Sequence, residues 1–294
     1  MEWHQFVYFK TLARMQHVTR ASEVLSISQP ALSRSIARFE EEIGVPLFER
    51  GGRTIRLNPY GEIMLKRVDR MMKEFEAGKQ EIQDLLKPGQ GKVSLGFLHT
   101  LSTNLVPDLI ASFRNDFPNV QFKLGQGPSH TILKQLQSGD FDLCLAMKMD
   151  APLEWTPLWS EEMFITVSKE HPLAGRDEVS LHDIMEDSFI HLKEGYSLRT
   201  TVERLFRTAG LTPNVMFEGD EADTVAGLVA AGLGISILPD LRGIDKSKLS
   251  QIRIKGIESK RTIGLAWVKG RYLSPATKEL KGFIENYFHD KDNK

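Results

Sequence analysis

The sequence predicts an α/β protein built from a small helical head with a β-hairpin, a long linker helix and a larger two-lobed α/β domain. Two short helical patterns separated by a tight turn occupy residues 18–42 and predict the head. A heptad spacing of apolar residues that begins after Pro59 predicts the linker helix. From residue 93 onward, strand-like segments alternate with helix-like segments, which is typical of an α/β domain.

The helical patterns of the head have the spacing of a helix-turn-helix. Thr19 is expected to cap the first helix, because its hydroxyl can accept a hydrogen bond from a free backbone N–H at the helix start. Ser28 is expected to cap the second helix, which has Pro30 in its first turn, where a missing N–H costs nothing. The second helix is expected to end near Glu42. The apolar stripe that faces the first helix consists of Ala31 or Leu32, Ile36 and Phe39.

The opposite face of the second helix carries polar side chains that can hydrogen-bond to base edges and phosphates. This arrangement fits a recognition helix in the major groove of double-stranded DNA. Residues 50–57 alternate around a Gly-Gly turn and predict a hairpin wing whose arginines suit phosphates or the minor groove, although simple solvation stays open for each arginine. The predicted DNA-contacting residues are Ser28, Gln29, Pro30, Ser33, Arg34, Arg38, Arg50, Arg53 and Arg56.

The predicted linker helix has apolar residues spaced alternately four and three apart, which is the heptad pattern of a coiled coil. Charged residues flank this pattern, and they favour pairing with a second copy over packing of the helix on its own chain. A two-fold symmetric dimer requires paired half-sites in the DNA. The predicted dimer seam consists of Met64, Val68, Met71, Phe75, Ile82 and Leu85.

The sequence also predicts the domain boundaries. Residues 88–92 contain glycine and proline, cannot continue a helix and are the predicted hinge. Strands alternate with helices beyond the hinge, which implies parallel sheets, and the final strand and helix could return to the first lobe. The predicted domains are residues 1–58 (winged helix-turn-helix), 59–87 (dimerising linker helix), 88–92 (hinge) and 93–294, with lobe I at about 93–161 and 266–294 and lobe II at about 162–265.

The cleft between the lobes is the predicted site for a small-molecule effector, because ligands of α/β sheets bind beyond the carboxyl ends of strands. Hydroxyl side chains stand where helices start after strands, and together with free backbone N–H groups they favour an organic anion such as a carboxylate. Arg199 would supply a cation, whereas helix capping, or a core position for His99, stays an open alternative. The candidate effector-binding residues are His99, Thr100, Ser102, Thr103, Ser129, Thr131, Lys148, Glu194, Tyr196, Ser197 and Arg199.

Composition narrows the class of protein. The chain has 294 residues, of which 41% are hydrophobic and 26% charged, and a net charge of -1, as in ordinary globular proteins. Its single cysteine, Cys144, lies in an apolar run, so core packing is expected rather than nucleophilic chemistry. The chain lacks an apolar run of about 18 residues and a signal-peptide pattern, so we expect a cytoplasmic location without a membrane partner.

Catalytic motifs are missing from the sequence. It contains no G-x-S-x-G, P-loop, H-E-x-x-H or paired cysteines, and the glycines at 232–234 precede a strand rather than open a helix. We therefore expect no catalytic residues, no metal ligands and no cofactor. An enzyme, or a small-molecule-binding α/β protein, with an accessory DNA-binding domain is the alternative hypothesis.

Further motifs lie in a recognisable order along the chain: FPNV at 117–120, GDFDL at 139–143, EHPLA at 170–174 and LVAAGLG at 228–234. With the helix-turn-helix, they resemble the LysR-type bacterial transcriptional regulators over essentially the whole chain. That resemblance implies a winged helix-turn-helix, a dimerising linker helix, an effector domain like the type 2 periplasmic binding proteins and, frequently, a tetramer.

The family pattern also assigns roles to residues. It implies that Gln29, Pro30, Ser33 and Arg34 are recognition-helix positions that touch DNA and that Arg53 does so from the wing. Closure of the lobes on an effector would shift the DNA-binding heads and change DNA bending or contact with RNA polymerase. Within the family, the chain is most similar to the regulators of glutamate synthase genes in bacilli. It departs from that subgroup in the expected pocket, at His99, Thr100 and Lys148.

Overall fold

The computed structural model describes residues 1–51, 54–86, 91–240 and 247–292, without the side chains of residues 50, 51, 54, 80, 83–86 and 290–292. Arg53, residues 88–90 of the predicted hinge, and the side chains of Arg50 and Leu85 therefore lie outside the described residues. The chain divides into two compact units, Met1–Ile82 and Gln83–Lys294. Among the described helices, none is both long and apolar enough to cross a membrane.

The N-terminal unit is a helical head followed by a hairpin and a long helix. Its helices are α1 (Trp3–Met15), α2 (Val18–Val24), α3 (Gln29–Ile43) and most of α4 (Pro59–Leu86), and its strands are β1 (Phe48–Gly51) and β2 (Thr54–Leu57), which pair antiparallel. The Phe9 ring on α1 lies 5.4 Å from that of Phe39 and 5.5 Å from that of Phe48, measured between centroids. This aromatic core packs α3 and the hairpin against the same helix.

α2 and α3 form the predicted helix-turn-helix, with one correction at its first cap. The cap of α2 is His17 and not Thr19: the backbone of His17 is extended, and its ring accepts a hydrogen bond from the N–H of Arg20 at 3.4 Å. Thr19 already lies inside the first turn, so its hydroxyl cannot act from the cap position. Ser28 is confirmed as the cap of α3, where its hydroxyl accepts the N–H of Ala31 at 3.4 Å.

α3 ends at Gly44, whose left-handed backbone (φ 87°) closes the last turn. Leu32 takes the stripe position that the sequence left open between it and Ala31, since Leu32 is fully buried and Ala31 is not. With Ile36 and Phe39 it holds α3 against the core. The other side of α3 stays free for a partner.

α4 is one continuous helix, as predicted, but its apolar residues have different partners. Val68 is 2% exposed in the N-terminal core, and Met64 packs against the same core. The placement of Val68 in a dimer seam is therefore wrong, because the early turns of α4 use these heptad positions to complete the head. The exposed apolar members of the predicted seam are Met71, Phe75 and Ile82.

The C-terminal unit is an α/β domain. Its helices are α5 (Leu105–Asp116), α6 (Ser129–Ser138), α7 (Ser197–Thr208), α8 (Ala222–Ala230) and α9 (Pro275–Asp292), with 3-10 turns at His99–Leu101 and Leu181–Ile184. Its strands are β3 (Gly91–Phe97), β4 (Val120–Gln126), β5 (Leu143–Met147), β6 (Glu154–Ser168), β7 (Glu178–Val179), β8 (Phe189–Leu192), β9 (Val215–Gly219), β10 (Ser236–Pro239), β11 (Leu249–Ile254) and β12 (Lys260–Trp267).

The main sheet is mixed rather than parallel. Its strand order is β4-β3-β5-β12-β6-β11-β7, with β10 also paired to β6. β3 pairs in parallel with β4 and β5, as predicted, but β12 is antiparallel to both β5 and β6, and β6 is antiparallel to β10 and β11. The prediction of parallel sheets is wrong at β6 and β12 because the chain passes between the two cores on these strands and not on helices.

Two separate cores define two lobes in this unit. Lobe I surrounds the first core, to which β12 contributes Ile263 and α9 contributes Leu280, so the predicted return of the last strand and helix is confirmed. Lobe II surrounds the second core, which contains β8, α7 and α8. β6 passes from the first core at Leu158 to the second at Met163. The space between the lobes is called the cleft below.

Candidate functional sites

The exposed side of α3 carries the residues predicted to contact DNA. Those that are exposed on this helix and its cap are Ser28, Gln29, Pro30, Arg34 and Arg38, whereas Ser33 is half-buried. Arg34 has no hydrogen-bond or ion-pair partner in the part of the chain that the structure describes, which leaves its guanidinium available to a ligand. Arg38 Nε lies 3.3 Å from Glu42 Oε1, so its charge is partly compensated.

The hairpin that follows α3 is held to that helix by a carboxylate. Glu40 Oε1 accepts the backbone N–H of Leu47 at 2.6 Å and that of Phe48 at 3.1 Å, and so ties the start of β1 to α3. Arg56 is exposed and faces Glu49 across the hairpin. α3 and the hairpin are therefore joined directly, and contact of these side chains with DNA stays a prediction.

α6 of lobe I and α7 of lobe II begin at the same point of the cleft. Ser129 and Ser197 are the first residues of these helices, and their Oγ atoms are 3.1 Å apart. The residues before them, Pro128 and Tyr196, provide no side-chain cap. Free N–H groups at two uncapped helix starts meet here, and both helix dipoles favour a negative charge at this point.

Arg261 on β12 adds a fixed positive charge at the cleft. Its side chain is 2% exposed, it forms an ion pair with Glu161, which lies directly opposite on β6, and its Nη2 donates to Thr100 Oγ1 at 2.9 Å. Burial lowers the pKa of the Arg261 guanidinium, and Glu161 acts in the opposite direction. A buried cation is tolerated only with such partners, so its position is tightly defined.

Two cavities of very different size meet at Ser197 and Arg261. The larger has a volume of about 520 Å³, and its charged lining residues are Lys148, Arg204, Glu258, Lys260 and Arg261. The smaller has a volume of about 30 Å³, roughly the space of one water molecule, and its lining includes His99, Thr100, Tyr196 and Ser197. The excess of cations over carboxylates in the larger cavity favours an anionic ligand.

Several predicted effector-binding residues meet at this cleft. Besides the cavity-lining residues His99, Thr100, Lys148, Tyr196 and Ser197, Ser129 reaches it through its hydroxyl contact with Ser197. His99 Nδ1 of lobe I also lies 3.4 Å from Glu221 Oε1 of lobe II. Most of these positions were predicted because they follow a strand near the start of a helical segment, whereas Lys148 was predicted as a departure from the related regulators in the expected pocket.

Other predicted residues line neither cavity. The Ser102 hydroxyl donates to the carbonyl of His99 at 2.7 Å, and Thr131 Oγ1 lies 3.0 Å from His130 Nε2, so both serve their own segment. Thr103 and Glu194 are exposed outside the cavities. None of these four side chains lines a cavity of the cleft in this structure, and their contact with an effector stays a prediction.

The structure corrects the role predicted for Arg199. Its guanidinium forms ion pairs with Glu203 and Glu218 and donates to the carbonyl of Leu192 at 3.0 Å. Glu203 first, and then Glu218, raise the pKa of Arg199 against the opposing effect of burial. Its charge is already neutralised between α7 and the β8–β9 sheet, so the prediction that Arg199 supplies a cation to the effector is wrong.

Arg204, Lys260 and Arg261 were missed from the sequence. The sequence does contain a pattern that could have revealed Arg261. In β12, Arg261, Ile263 and Leu265 are spaced two residues apart, so their side chains point to the same face of the strand. A charged residue on a buried strand face indicates a partner or a site. No comparable pattern distinguishes Arg204 or Lys260 from ordinary exposed residues.

Family models of known proteins match both the N-terminal and the C-terminal part of the chain. Residues 3–62 match the family model described as bacterial regulatory helix-turn-helix protein, lysR family, and residues 87–288 match the model described as LysR substrate binding domain. The chain belongs to the LysR family. This LysR-family protein is a DNA-binding transcriptional regulator with an effector-binding domain, and the resemblance predicted from its motifs is confirmed.

The relatives of this LysR-family regulator are themselves transcriptional regulators. It is 58% identical to the uncharacterized HTH-type transcriptional regulator YybE of Bacillus subtilis, over 99% of this chain and 100% of that protein. It is 34% identical to the transcriptional dual regulator GltC of the same organism, over 98% of both chains. The solved effector binding domain of QuiR in complex with shikimate matches with a TM-score of 0.65 and 29% identity, covering 68% of this chain and 98% of that one.

Proposed function

We propose that this LysR-family regulator binds a small organic anion in the cleft between its lobes and, as a dimer on paired half-sites, changes its action on DNA in response. The observation that carries the proposal is the meeting of two uncapped helix starts beside a cavity whose lining has more cations than carboxylates. All of these groups offer positive charge or hydrogen-bond donors to the same space. The neighbouring cavity of about 520 Å³ is large enough for a metabolite.

Two further observations support the proposal. The QuiR domain was solved with shikimate, which is a carboxylate, and it matches this effector domain at 29% identity. We also propose that the protein catalyses no reaction and needs no cofactor, since its relatives are regulators. Because its action is on chromosomal DNA, we propose that it works in the cytoplasm.

The DNA-binding part of the proposal is tested at Arg34. We expect Arg34→Ala to weaken binding to the DNA upstream of the protein's own gene by about 1–3 kcal/mol, because a base-reading arginine contributes about that much. Quantitative gel shifts at fixed salt would measure it, with Arg114→Ala, at an exposed position of α5, as the matched control. Unchanged affinity would mean that α3 does not read bases through Arg34.

The effector part is tested with pairs of ligands that differ only in charge. We expect carboxylic acids to raise the melting temperature of the wild-type protein, whereas their neutral amides do not, because only the charged form pairs with the helix starts and the cations of the larger cavity. Differential scanning fluorimetry with such a panel, including shikimate and shikimamide, would measure this. Stabilisation by neutral compounds alone would contradict an anionic effector.

A further inference from the structure

The larger cavity of the cleft contains two cations for which the described residues supply no carboxylate. Lys148 follows β5 in lobe I, and Arg204 lies on α7 in lobe II. Lys148 Nζ lies 6.0 Å from the centroid of the Trp155 ring, and Arg204 Nη2 donates to the carbonyl of Lys260 at 3.5 Å. Neither Lys148 nor Arg204 forms an ion pair within the described part of the chain.

The other cations of this cavity are already compensated. Lys260 Nζ lies 3.7 Å from Glu258 Oε1, and Arg261 is paired with Glu161. The lining therefore has an uncompensated positive charge on each lobe, and these two charges face a common space. A ligand with a single negative charge would leave one of them without a partner.

We propose that the effector is a dianion, specifically a dicarboxylate, with one carboxylate at Lys148 and the other at Arg204. The proposal rests on the proposed function, since it assumes that the cleft binds an anion. A dicarboxylate that engages both side chains joins lobe I to lobe II, so the energy of charge pairing is available only when the lobes are close together. Binding of the second carboxylate is thereby coupled to closure of the cleft.

The rest of the lining fits the spacer of such a ligand. Met147 and Met149 flank Lys148 in the cavity wall and offer flexible apolar contacts to a short carbon chain. Ser160 and Thr262, whose hydroxyls are 2.9 Å apart, add polar contacts on the strands that join the lobes. A short aliphatic dicarboxylate therefore matches both the charged ends and the mixed wall of the cavity.

Isothermal titration of the full-length protein with malonate, succinate, glutarate and adipate, and with the monoamide of each, tests the proposal at constant ionic strength. We expect at least one dicarboxylate to bind about tenfold more tightly than its monoamide, because the second charge-assisted contact is lost in the amide. Lys148→Gln and Arg204→Gln should each raise the Kd of that dicarboxylate by about tenfold and leave the monoamide within about twofold. The matched controls are Lys134→Gln on α6 and Arg207→Gln on α7, which are exposed and do not line the cavity.

The outcomes separate this proposal from the one on which it rests. If dicarboxylate and monoamide bind equally, or if both cavity variants keep the preference of the wild type, the dianion is wrong and anion binding stands. If no dicarboxylate binds at millimolar concentration but other monocarboxylates stabilise the protein, the dianion is again wrong. If only neutral compounds bind, the proposed function itself fails.

Discussion

His191 is a titratable side chain enclosed in lobe II. It is 3% exposed on β8, its Nδ1 accepts the N–H of Leu192 at 3.0 Å, and its Nε2 has no hydrogen-bond partner among the described residues. Burial above all, and then the charge of Arg199, lower the pKa of His191 to about 4, while Glu203 and Glu218 act in the opposite direction. The ring is therefore neutral at pH 7, and its proton is on Nε2.

We expect this histidine to make the protein less stable as the pH falls from about 6.5 towards 4. The unfolded histidine has the higher pKa, about 6.5, so the unfolded state takes up the proton first; the contribution to stability is fully present above that pH and is lost on acidification. The loss at pH 5 is roughly 2 kcal/mol. Urea unfolding at pH 7.5 and pH 5 should show a smaller pH dependence for His191→Phe than for the wild type or for the exposed control His182→Gln. An identical pH dependence in all three would contradict this assignment.

The residues of the cleft illustrate how much of a site the sequence could predict. Ser129 and Ser197 were predictable because hydroxyl residues at helix starts after strands have a limited set of positions. Arg199 lies just two residues beyond Ser197, yet local spacing could not reveal that Glu218 on β9 would neutralise it. Arg261 donates a hydrogen bond to Thr100, which is 161 residues away in the sequence. The pairing of β12 with β6 that places Arg261 there is not specified by any local pattern.

At the scale of elements, α4 gives the clearest test of how the protein self-associates. Phe75 is 53% exposed on the later turns, whereas Val68 is buried in the head. We expect Phe75→Asp to yield a folded monomer, because it places a charge in an exposed apolar stripe that suits a second copy. Val68→Asp should instead unfold the head, since it places an unpaired charge in a core. Light scattering with thermal melts would separate these effects, with Lys66→Glu on the same helix as the control.

A Phe75→Asp variant that remained dimeric would show that another surface joins the copies. The contrast with Val68 matters because a heptad pattern alone cannot say whether its apolar positions face a partner or the same chain. In α4 the early heptad positions face the head and the later ones are exposed. The pattern predicted the helix correctly and was wrong for Val68 in the seam.

The strands, like α4, could be predicted from the sequence only in part. β3, β4 and β5 were predictable because each is a short segment bounded by helical patterns, and they lie where expected. The first half of β6 was missed, since Pro157 and Glu161 do not follow the apolar alternation of a core strand. Pairing with β12 stabilises it nonetheless, and Glu161 is placed there as the partner of Arg261.

At the scale of the whole effector domain, polar side-chain contacts join lobe I to lobe II beside strand β6, which passes between them. Ser129 meets Ser197 at 3.1 Å, and His99 Nδ1 lies 3.4 Å from Glu221 Oε1. These contacts border the smaller cavity, which has space for about one water molecule, while the larger cavity stays accessible beside them. The chain itself thus links the lobes on one side of the cleft, and the space beside these contacts is open to a ligand.

We expect Glu221→Ala to loosen this arrangement without changing the larger cavity, which Glu221 does not line. The carboxylate is 47% exposed, and such contacts contribute at most about 1 kcal/mol, so the closed population should fall by no more than about fivefold. Hydrogen exchange measured by mass spectrometry should become faster at the starts of α6 and α7, where the lobes meet, and stay unchanged in the exposed control Glu170→Ala. The affinity of a cleft ligand should fall by the same factor as the closed population, because the ligand must then supply the missing energy of closure. Faster exchange without weaker binding would mean that closure and ligand binding are independent. Unchanged exchange would mean that the His99–Glu221 contact does not help to hold the lobes together.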